Sequence, residues 1–247
     1  MMINFEVLII IFALAVGGFT KGLTGLGLPM ISIPIMANVI GAERAVMIMI
    51  IPTIVLNVWL AVVNRGERHA IPELPLMLLF GVPGAVLGAT FLYLAPDKVL
   101  DTILAVWVLI YLIIRLFNKD FRLSSKARNF LCYPVGLIAG ALQSTTGISA
   151  PIIASYIDAL QLNKSGYVYG VATCFATLSF VHLITLLSYQ AISSSQLLIS
   201  VMAVLPAIIF VKPGIYLRDI FLQKIFDRVI KLLLFVMATQ LIQKTWL

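Results

Sequence analysis

Long apolar runs separated by short polar or charged connectors make up almost the whole chain. The runs cover residues 5–40, 44–63, 74–94 and 99–116 and, after a polar linker, residues 130–160, 166–188, 196–217 and 229–242. A helix that spans a bilayer needs about 20 predominantly apolar residues, so most of these runs have the length of one crossing. The pattern predicts an all-α polytopic membrane protein, with residues 1–117 as a first transmembrane repeat, 118–129 as a cytoplasmic linker and 130–247 as a second repeat.

Identities between the two halves support an internal repeat. Seven of the 22 positions from 16 to 37 carry the same residue 122 positions later, and the pairs include Gly18 with Gly140, Gly25 with Gly147 and Pro29 with Pro151. Weak internal symmetry of two hydrophobic halves is typical of transporter folds. In the third segment, Gly84 and Gly88 predict close helix packing, either within the molecule or at a homodimer interface.

The opening segment of each half is too long for a single crossing. About 36 helical residues would measure roughly 54 Å, against a hydrocarbon core of about 30 Å. Glycine and proline cluster at residues 22–29 and 143–151, where they favour unwinding and the start of a new helix. We therefore expect each opening segment to be broken, as a re-entrant hairpin or as a broken span.

The positive charges favour the hairpin alternative. With hairpins, thirteen Lys and Arg residues near the segment ends divide ten to three between the two sides, whereas eight simple spans divide them eight to five. Each half then makes an odd number of crossings. This topology predicts an inverted repeat with a cytoplasmic linker and both termini outside.

Composition agrees with a membrane protein and changes how the charge is interpreted. Apolar residues are 62% of the chain, charged residues are 11% and the mean hydropathy is +1.09, whereas soluble proteins have about 25% charged residues. The net charge of +7 lies mostly in connectors, so it indicates topology and not nucleic-acid binding. The two cysteines lack metal-ligand spacing, and we expect no cofactor, no metal and no catalytic residue.

The two breaks are the predicted substrate site. Unwound backbone at membrane depth is tolerated only in protein or beside a wet cavity, and helix starts there offer free amides to an anion. Lys21 supplies one fixed cation, and Gln143 occupies the equivalent position of the second half. The predicted substrate-binding residues are Lys21, Gly22, Thr24, Gly25, Gly27, Pro29, Gln143, Ser144, Thr145, Thr146, Gly147, Ser149 and Pro151.

Three polar residues are predicted to couple transport or to line the cavity. One lies in the second span of the first half, and two lie in the second span of the second half. Asn57 and Ser179 are repeat equivalents that could instead bond across helices. His182 lies in an apolar run, where it could carry a coupling proton or simply form a hydrogen bond between helices.

The sequence from Gly18 to Pro29, with its second copy from Gly136 to Pro151, resembles the paired glycine-rich signatures of the TauE/SafE sulfite-exporter family. The resemblance covers nearly the whole chain. It implies a permease of the bacterial cytoplasmic membrane for sulfite, a sulfonate or another small anion, held between two broken-helix tips. Family members often carry a glycine run where this chain has Gly27-Leu28-Pro29 and Ser149-Ala150-Pro151, which implies a narrower cavity.

Other functions stay open at this stage. The same hairpins could line a passive anion channel, or the chain could be a membrane subunit of a partner complex. An intramembrane hydrolase using Ser144 or Ser149 with His182 needs a base within reach of the nucleophile, and the chain has no GxSxG motif. The expected partners are a small anion and the lipid bilayer, with proton coupling and a homodimer as open alternatives.

Overall fold

All regular structure in the described part of the chain is helical, which confirms the predicted all-α class. The computed structural model describes residues 2–24, 27–116, 123–217 and 223–246. A 3-10 turn covers Arg65–Glu67. The α-helices are α1 (Met2–Thr24), α2 (Leu28–Ile40), α3 (Ala42–Val63), α4 (Leu74–Leu94), α5 (Asp97–Leu116), α6 (Ser125–Thr146), α7 (Ala150–Asp158), α8 (Lys164–Ser188), α9 (Ser194–Met202), α10 (Val204–Leu217) and α11 (Gln223–Trp246).

The helix boundaries in both opening segments fall inside the glycine and proline clusters. Gly27 precedes α2 with φ of 115°, and Gly147 ends α6 with φ of 70°. Both values lie in the left-handed region that glycine adopts without the steric cost of a Cβ. A proline occupies the first turn of α2 and of α7. The re-entrant placement of these helices in a membrane stays a prediction.

Six helical segments of the described residues are long and apolar enough to cross a membrane. They are 5–24, 42–63, 74–94, 164–188, 194–217 and 228–246. The set includes α1 and omits α5 and α6. Helix length and composition therefore do not decide between eight spans and two hairpins with six spans.

The chain divides into two compact units that do not follow the sequence halves. The first unit comprises Met1–Pro52, Ala95–Asn118 and Ser193–Leu247, and the second comprises Thr53–Leu94 and Lys119–Ile192. Each unit thus combines segments from before and after the predicted linker. The repeat boundaries inferred from the sequence stay a prediction.

In the first unit, the opening segment returns to the point where it began. Ser32 Oγ on α2 donates to the carbonyl oxygen of Ala13 on α1 at 2.8 Å. A Cβ on Gly17 would meet the Leu28 carbonyl oxygen, so the two helices run antiparallel. Arg44 and Glu6 form an ion pair of 3.3 Å, which joins the beginning of α1 to the beginning of α3.

Helix α1 also packs closely against α10 within the first unit. A Cβ on Gly22 would overlap the carbonyl oxygen of Val211, and one on Gly214 would overlap that of Phe19. Only glycine permits this approach of two backbones, as in small-residue packing between membrane helices. The contact joins the opening helix of the first half to a helix of the second half.

The second unit repeats this arrangement with α4 and α6. A Cβ on Gly84 would overlap the Leu137 carbonyl oxygen, and one on Gly140 would overlap that of Gly81. The predicted close packing of Gly84 is therefore confirmed within the molecule. The two ends of the α6–α7 segment lie close together, because the Leu123 amide donates to the Ala159 carbonyl oxygen at 3.2 Å.

An ion-pair cluster connects the beginning of α6 with its neighbours. Arg128 at the start of α6 donates to both carboxylate oxygens of Glu73, at 2.8 and 2.9 Å. The Tyr156 hydroxyl donates to the Arg128 carbonyl oxygen at 3.0 Å. Burial alone would raise the pKa of Glu73, but the Arg128 hydrogen bonds lower it below its usual value of 4.5. The cluster thus links the residue before α4 with α6 and α7.

The lowered pKa of Glu73 makes the stabilisation by this cluster dependent on pH. A carboxylate with a lowered folded-state pKa stabilises the fold above its unfolded-state value and loses that contribution as the pH falls through the folded-state value. We expect the Tm of the wild type to exceed that of Glu73→Gln by a constant amount from pH 7 to about 4.5, and the difference to shrink below that. A difference that does not shrink at all as the pH falls further below about 4.5 would contradict the ion-pair account.

Candidate functional site

The first break places a buried cation at the end of α1. Lys21 lies in the last turn of α1 and is only 6% exposed. The Thr24 hydroxyl donates to the Thr20 carbonyl oxygen at 2.9 Å. Gly22, predicted to bind substrate, packs against the backbone of α10. Gly27 and Pro29 form the start of α2, and Gly25 lies outside the described residues.

The second break is built around Gln143. The Ser149 hydroxyl donates to Gln143 Oε1, and Gln143 Nε2 donates to Ser179 Oγ at 3.0 Å. All three residues are buried. These bonds connect the end of α6, the start of α7 and the middle of α8. We call Gln143, Ser149 and Ser179 the Gln143 network.

The threonines of the second break bond to backbone carbonyls. Thr145 Oγ1 donates to the Gly88 carbonyl oxygen on α4 at 3.2 Å. Thr146 Oγ1 donates to the Leu142 carbonyl oxygen at 2.8 Å and accepts from the Ile148 amide at 3.2 Å. These hydroxyls hold the helix end in place. Gly147 and Pro151 supply the turn and the first turn of α7.

Ser144 and His182 differ from their neighbours in lacking a partner at one polar atom. Among the described residues, Ser144 Oγ and His182 Nε2 are buried and have no hydrogen-bond partner. Asn57 is also buried, and its Nδ2 donates to the Thr53 carbonyl oxygen at 2.8 Å. Gln143, Ser144, Ser149, Ser179 and His182 all belong to the second compact unit.

Two buried polar positions were not among the functional residues predicted from the sequence. Thr173 Oγ1 on α8 is a further buried atom without a partner among the described residues. Asp101 on α5 accepts a 2.8 Å hydrogen bond from the Ala42 amide at the start of α3. The sequence could have indicated both, because each is a polar residue within a mostly apolar helix. Neither lies at a break.

The two breaks thus differ in charge. The first contributes a buried ammonium group from Lys21, whereas the Gln143 network contributes an amide and the Ser179 hydroxyl, because the Ser149 hydroxyl already donates to Gln143. Donors of both kinds stabilise an oxyanion, and a bond from a charged donor is roughly twice as strong as a neutral one. The first break therefore has a positive charge, and the second break is neutral.

Apolar helices long enough to span a bilayer, with polar side chains buried at helix breaks, define a polytopic membrane protein. The chain matches the family model described as Sulfite exporter TauE/SafE over residues 9–241, nearly its whole length. The chain therefore belongs to this family of membrane transporters, as the resemblance implied. It has no significant match among curated proteins or among solved structures.

Proposed function

We propose that the protein is a secondary transporter that moves a small anion, such as sulfite or a sulfonate, across the bacterial cytoplasmic membrane. The observation that carries this proposal is the burial of Lys21 at the end of an apolar helix, next to a break. Intramembrane ionisable groups are costly and typically mark substrate or ion pathways. The family match supports transport as the activity.

Each break offers hydrogen-bond donors to an anion within its own unit. A helix N-terminus leaves its first backbone amides without a helical partner. At α2 this concerns only the amides that precede Ile31, because Ile31 donates to the Gly27 carbonyl oxygen. At α7 it concerns only those that precede Ile152, because Ile152 donates to the Ser149 carbonyl oxygen. Together with the helix dipole, the free amides favour an anion. In the first unit, Lys21 supplies the countercharge in this proposal. One fixed cation favours a substrate with a single negative charge.

The geometry favours transport over hydrolysis. The Ser149 hydroxyl donates to Gln143, and Ser144 Oγ has no partner among the described residues. Neither serine is therefore paired with His182, although nucleophilic catalysis requires a base that can take the hydroxyl proton. In a transporter, His182 would instead carry a coupling proton. Transport driven by a pH gradient imposed on proteoliposomes tests this role.

The compact units suggest which parts of the chain stay rigid during transport. Alternating access in transporters is largely rigid-body movement of one bundle or repeat. Here the glycine contacts fasten α1 to α10 and α4 to α6, so each contact joins the two sequence halves within one unit. We propose that each unit moves as a single body, and that the sequence halves do not.

A cross-link within the second unit tests this proposal. Thr90 on α4 and Tyr189 after α8 come from different sequence halves, and their hydroxyl oxygens are 3.0 Å apart. We expect Thr90→Cys/Tyr189→Cys, joined by a short bifunctional thiol reagent, to transport at the uncross-linked rate. Cys132 and Cys174 are replaced by alanine to prevent competing reaction. If cross-linking stops transport, the halves move against each other.

Binding measurements on purified protein test the function itself. A ligand that binds only the folded protein raises its apparent stability. We expect a rise in Tm with sulfite or a sulfonate and a smaller rise with chloride or a carboxylate. If no anion raises the Tm, the proposed substrate class is wrong, and a partner-dependent subunit becomes the better account.

A further inference from the structure

Among the described helices, α3 alone is divided between the two compact units. Its residues 42–52 belong to the first unit and its residues 53–63 to the second. The chain also passes from one unit to the other at 94/95 and 192/193, which lie between helices, and at 118/119 in the predicted linker. If each unit moves as a single body, α3 is therefore the helix that has to accommodate the movement.

Pro52 lies at this division, halfway along α3, and interrupts the hydrogen bonding of the helix. Proline has no amide hydrogen, so the carbonyl oxygen four residues earlier loses its helical partner. That oxygen belongs to Ile48, which is only 2% exposed. Sharp kinks in long helices occur at such prolines and where a side chain inserts into the hydrogen-bond ladder.

Ser200 on α9 inserts its hydroxyl into the interrupted turn. Ser200 Oγ donates to the Ile48 carbonyl oxygen at 2.9 Å and accepts from the Ile51 amide at 3.2 Å. Ser200 is 2% exposed, and all three residues belong to the first unit. Proline is tolerated in membrane helices where groups such as serine side chains bond to the freed backbone atoms. The Ser200 hydroxyl thus takes the place of the missing helical bond.

We infer that Pro52 is a hinge at which α3 bends during transport, and that Ser200 stabilises the break that permits the bending. This inference rests on the proposed function and adds a mechanical element to it. An uninterrupted helix resists bending because hydrogen bonds hold every turn. A turn that lacks its helical bond can change its angle, while Ser200 keeps the freed backbone groups paired within the first unit.

Pro52→Ala tests the hinge in the full-length protein. Alanine has an amide hydrogen and favours an uninterrupted helix far more strongly than proline does, so α3 should resist bending. We expect the maximal rate of labelled sulfite exchange in proteoliposomes to fall at least about tenfold. The KM should stay within about twofold of that of the wild type, because Pro52 lies at neither of the two breaks.

Two further variants separate bending of α3 from a general effect of helix prolines. Pro83→Ala removes a proline from α4, all of which belongs to the second unit, and the maximal rate should stay within about twofold of that of the wild type. Pro52→Gly introduces the residue that weakens a helix most after proline. It should retain more of the maximal rate than Pro52→Ala does.

The role of Ser200 is tested in the presence and absence of the hinge proline. Ser200→Ala removes the donor to the buried Ile48 carbonyl oxygen, so the Tm should fall by about 2–4 °C. In a Pro52→Ala background, the alanine amide can donate to the same oxygen, and Ser200→Ala should lower the Tm by less than half as much. Equal losses in the two backgrounds would show that Ser200 does not replace the helical bond.

The possible transport results are distinct. A wild-type maximal rate in Pro52→Ala overturns the hinge, while sulfite exchange by the wild type still supports the proposed function. An equal loss of rate in Pro83→Ala also overturns the hinge. If Pro52→Ala does not fold, the proline serves the packing of α3, and the hinge is rejected. Absence of sulfite and sulfonate exchange by the wild type contradicts the proposed function, and the hinge with it.

Discussion

Gly84→Ala is expected to destabilise the protein by about 1–3 kcal/mol, the cost typical of overpacking. The added Cβ would overlap the carbonyl oxygen of Leu137 on α6, and backbone atoms cannot move aside as a flexible side chain can. Alanine is otherwise favoured over glycine in a helix by about 1 kcal/mol. The steric effect therefore acts against an intrinsic gain, and it sets the sign of the result.

Gly66→Ala is the matched control for this variant. A Cβ on Gly66, in the 3-10 turn Arg65–Glu67, meets nothing within 4 Å. The free energy of unfolding in mixed micelles is measured for the wild type and for both variants. Gly66→Ala should remain within about 0.5 kcal/mol of the wild type, as is usual for surface substitutions. A Gly84→Ala protein as stable as the wild type would show that α4 and α6 do not pack through this glycine.

Lys21→Met is expected to lower the affinity for the transported anion by about ten- to 150-fold. A hydrogen bond to a charged group contributes about 1.5–3 kcal/mol, and each 1.4 kcal/mol corresponds to about tenfold in Kd. Methionine keeps the length and apolar character of the side chain. The loss should therefore appear in anion binding.

Two further substitutions distinguish a binding role from a structural one. Lys98→Met removes a positive charge from an exposed position of α5, and the anion affinity should stay within about twofold of that of the wild type because solvent screens exposed charges. Lys21→Arg keeps the charge and should retain part of the affinity. If Lys21→Met binds the anion as tightly as the wild type, Lys21 is not part of the site.

Much of the fold could be predicted from the sequence because the bilayer imposes length and composition on each segment. The run at residues 74–94 is bounded by polar connectors, and α4 has the same limits. The helix ends at Gly27 and Gly147 could be anticipated as well, since glycine and proline mark positions where a helix often stops. Gly27 and Gly147 adopt the left-handed conformation that their positions in these clusters suggested.

The compact units could not be predicted in this way. A small-residue motif such as Gly84 and Gly88 indicates that some helix approaches closely, but it does not identify the partner. The partner α6 comes from the other sequence half, so the contact depends on long-range packing. The same limitation applies to Gly22, whose role in the sequence analysis was substrate binding and whose Cβ position is occupied by α10.

The candidate site was partly predictable for a related reason. Residue type and repeat position identified Gln143, Ser149 and Ser179, but not that they bond to one another. Which hydroxyls are already satisfied depends on neighbouring carbonyl groups, as for Thr145 with Gly88. Only the three-dimensional arrangement distinguishes these from Ser144, which has no partner among the described residues.

Anion flux through purified protein in proteoliposomes tests the central claim most directly. The account predicts uptake of labelled sulfite or of a labelled sulfonate that saturates with concentration, is accelerated by unlabelled anion inside and is lost in Lys21→Met. Uptake that neither saturates nor responds to internal anion would identify a channel. Flux no greater than that of empty liposomes for sulfite, sulfonates, carboxylates and chloride would contradict the assignment as an anion transporter.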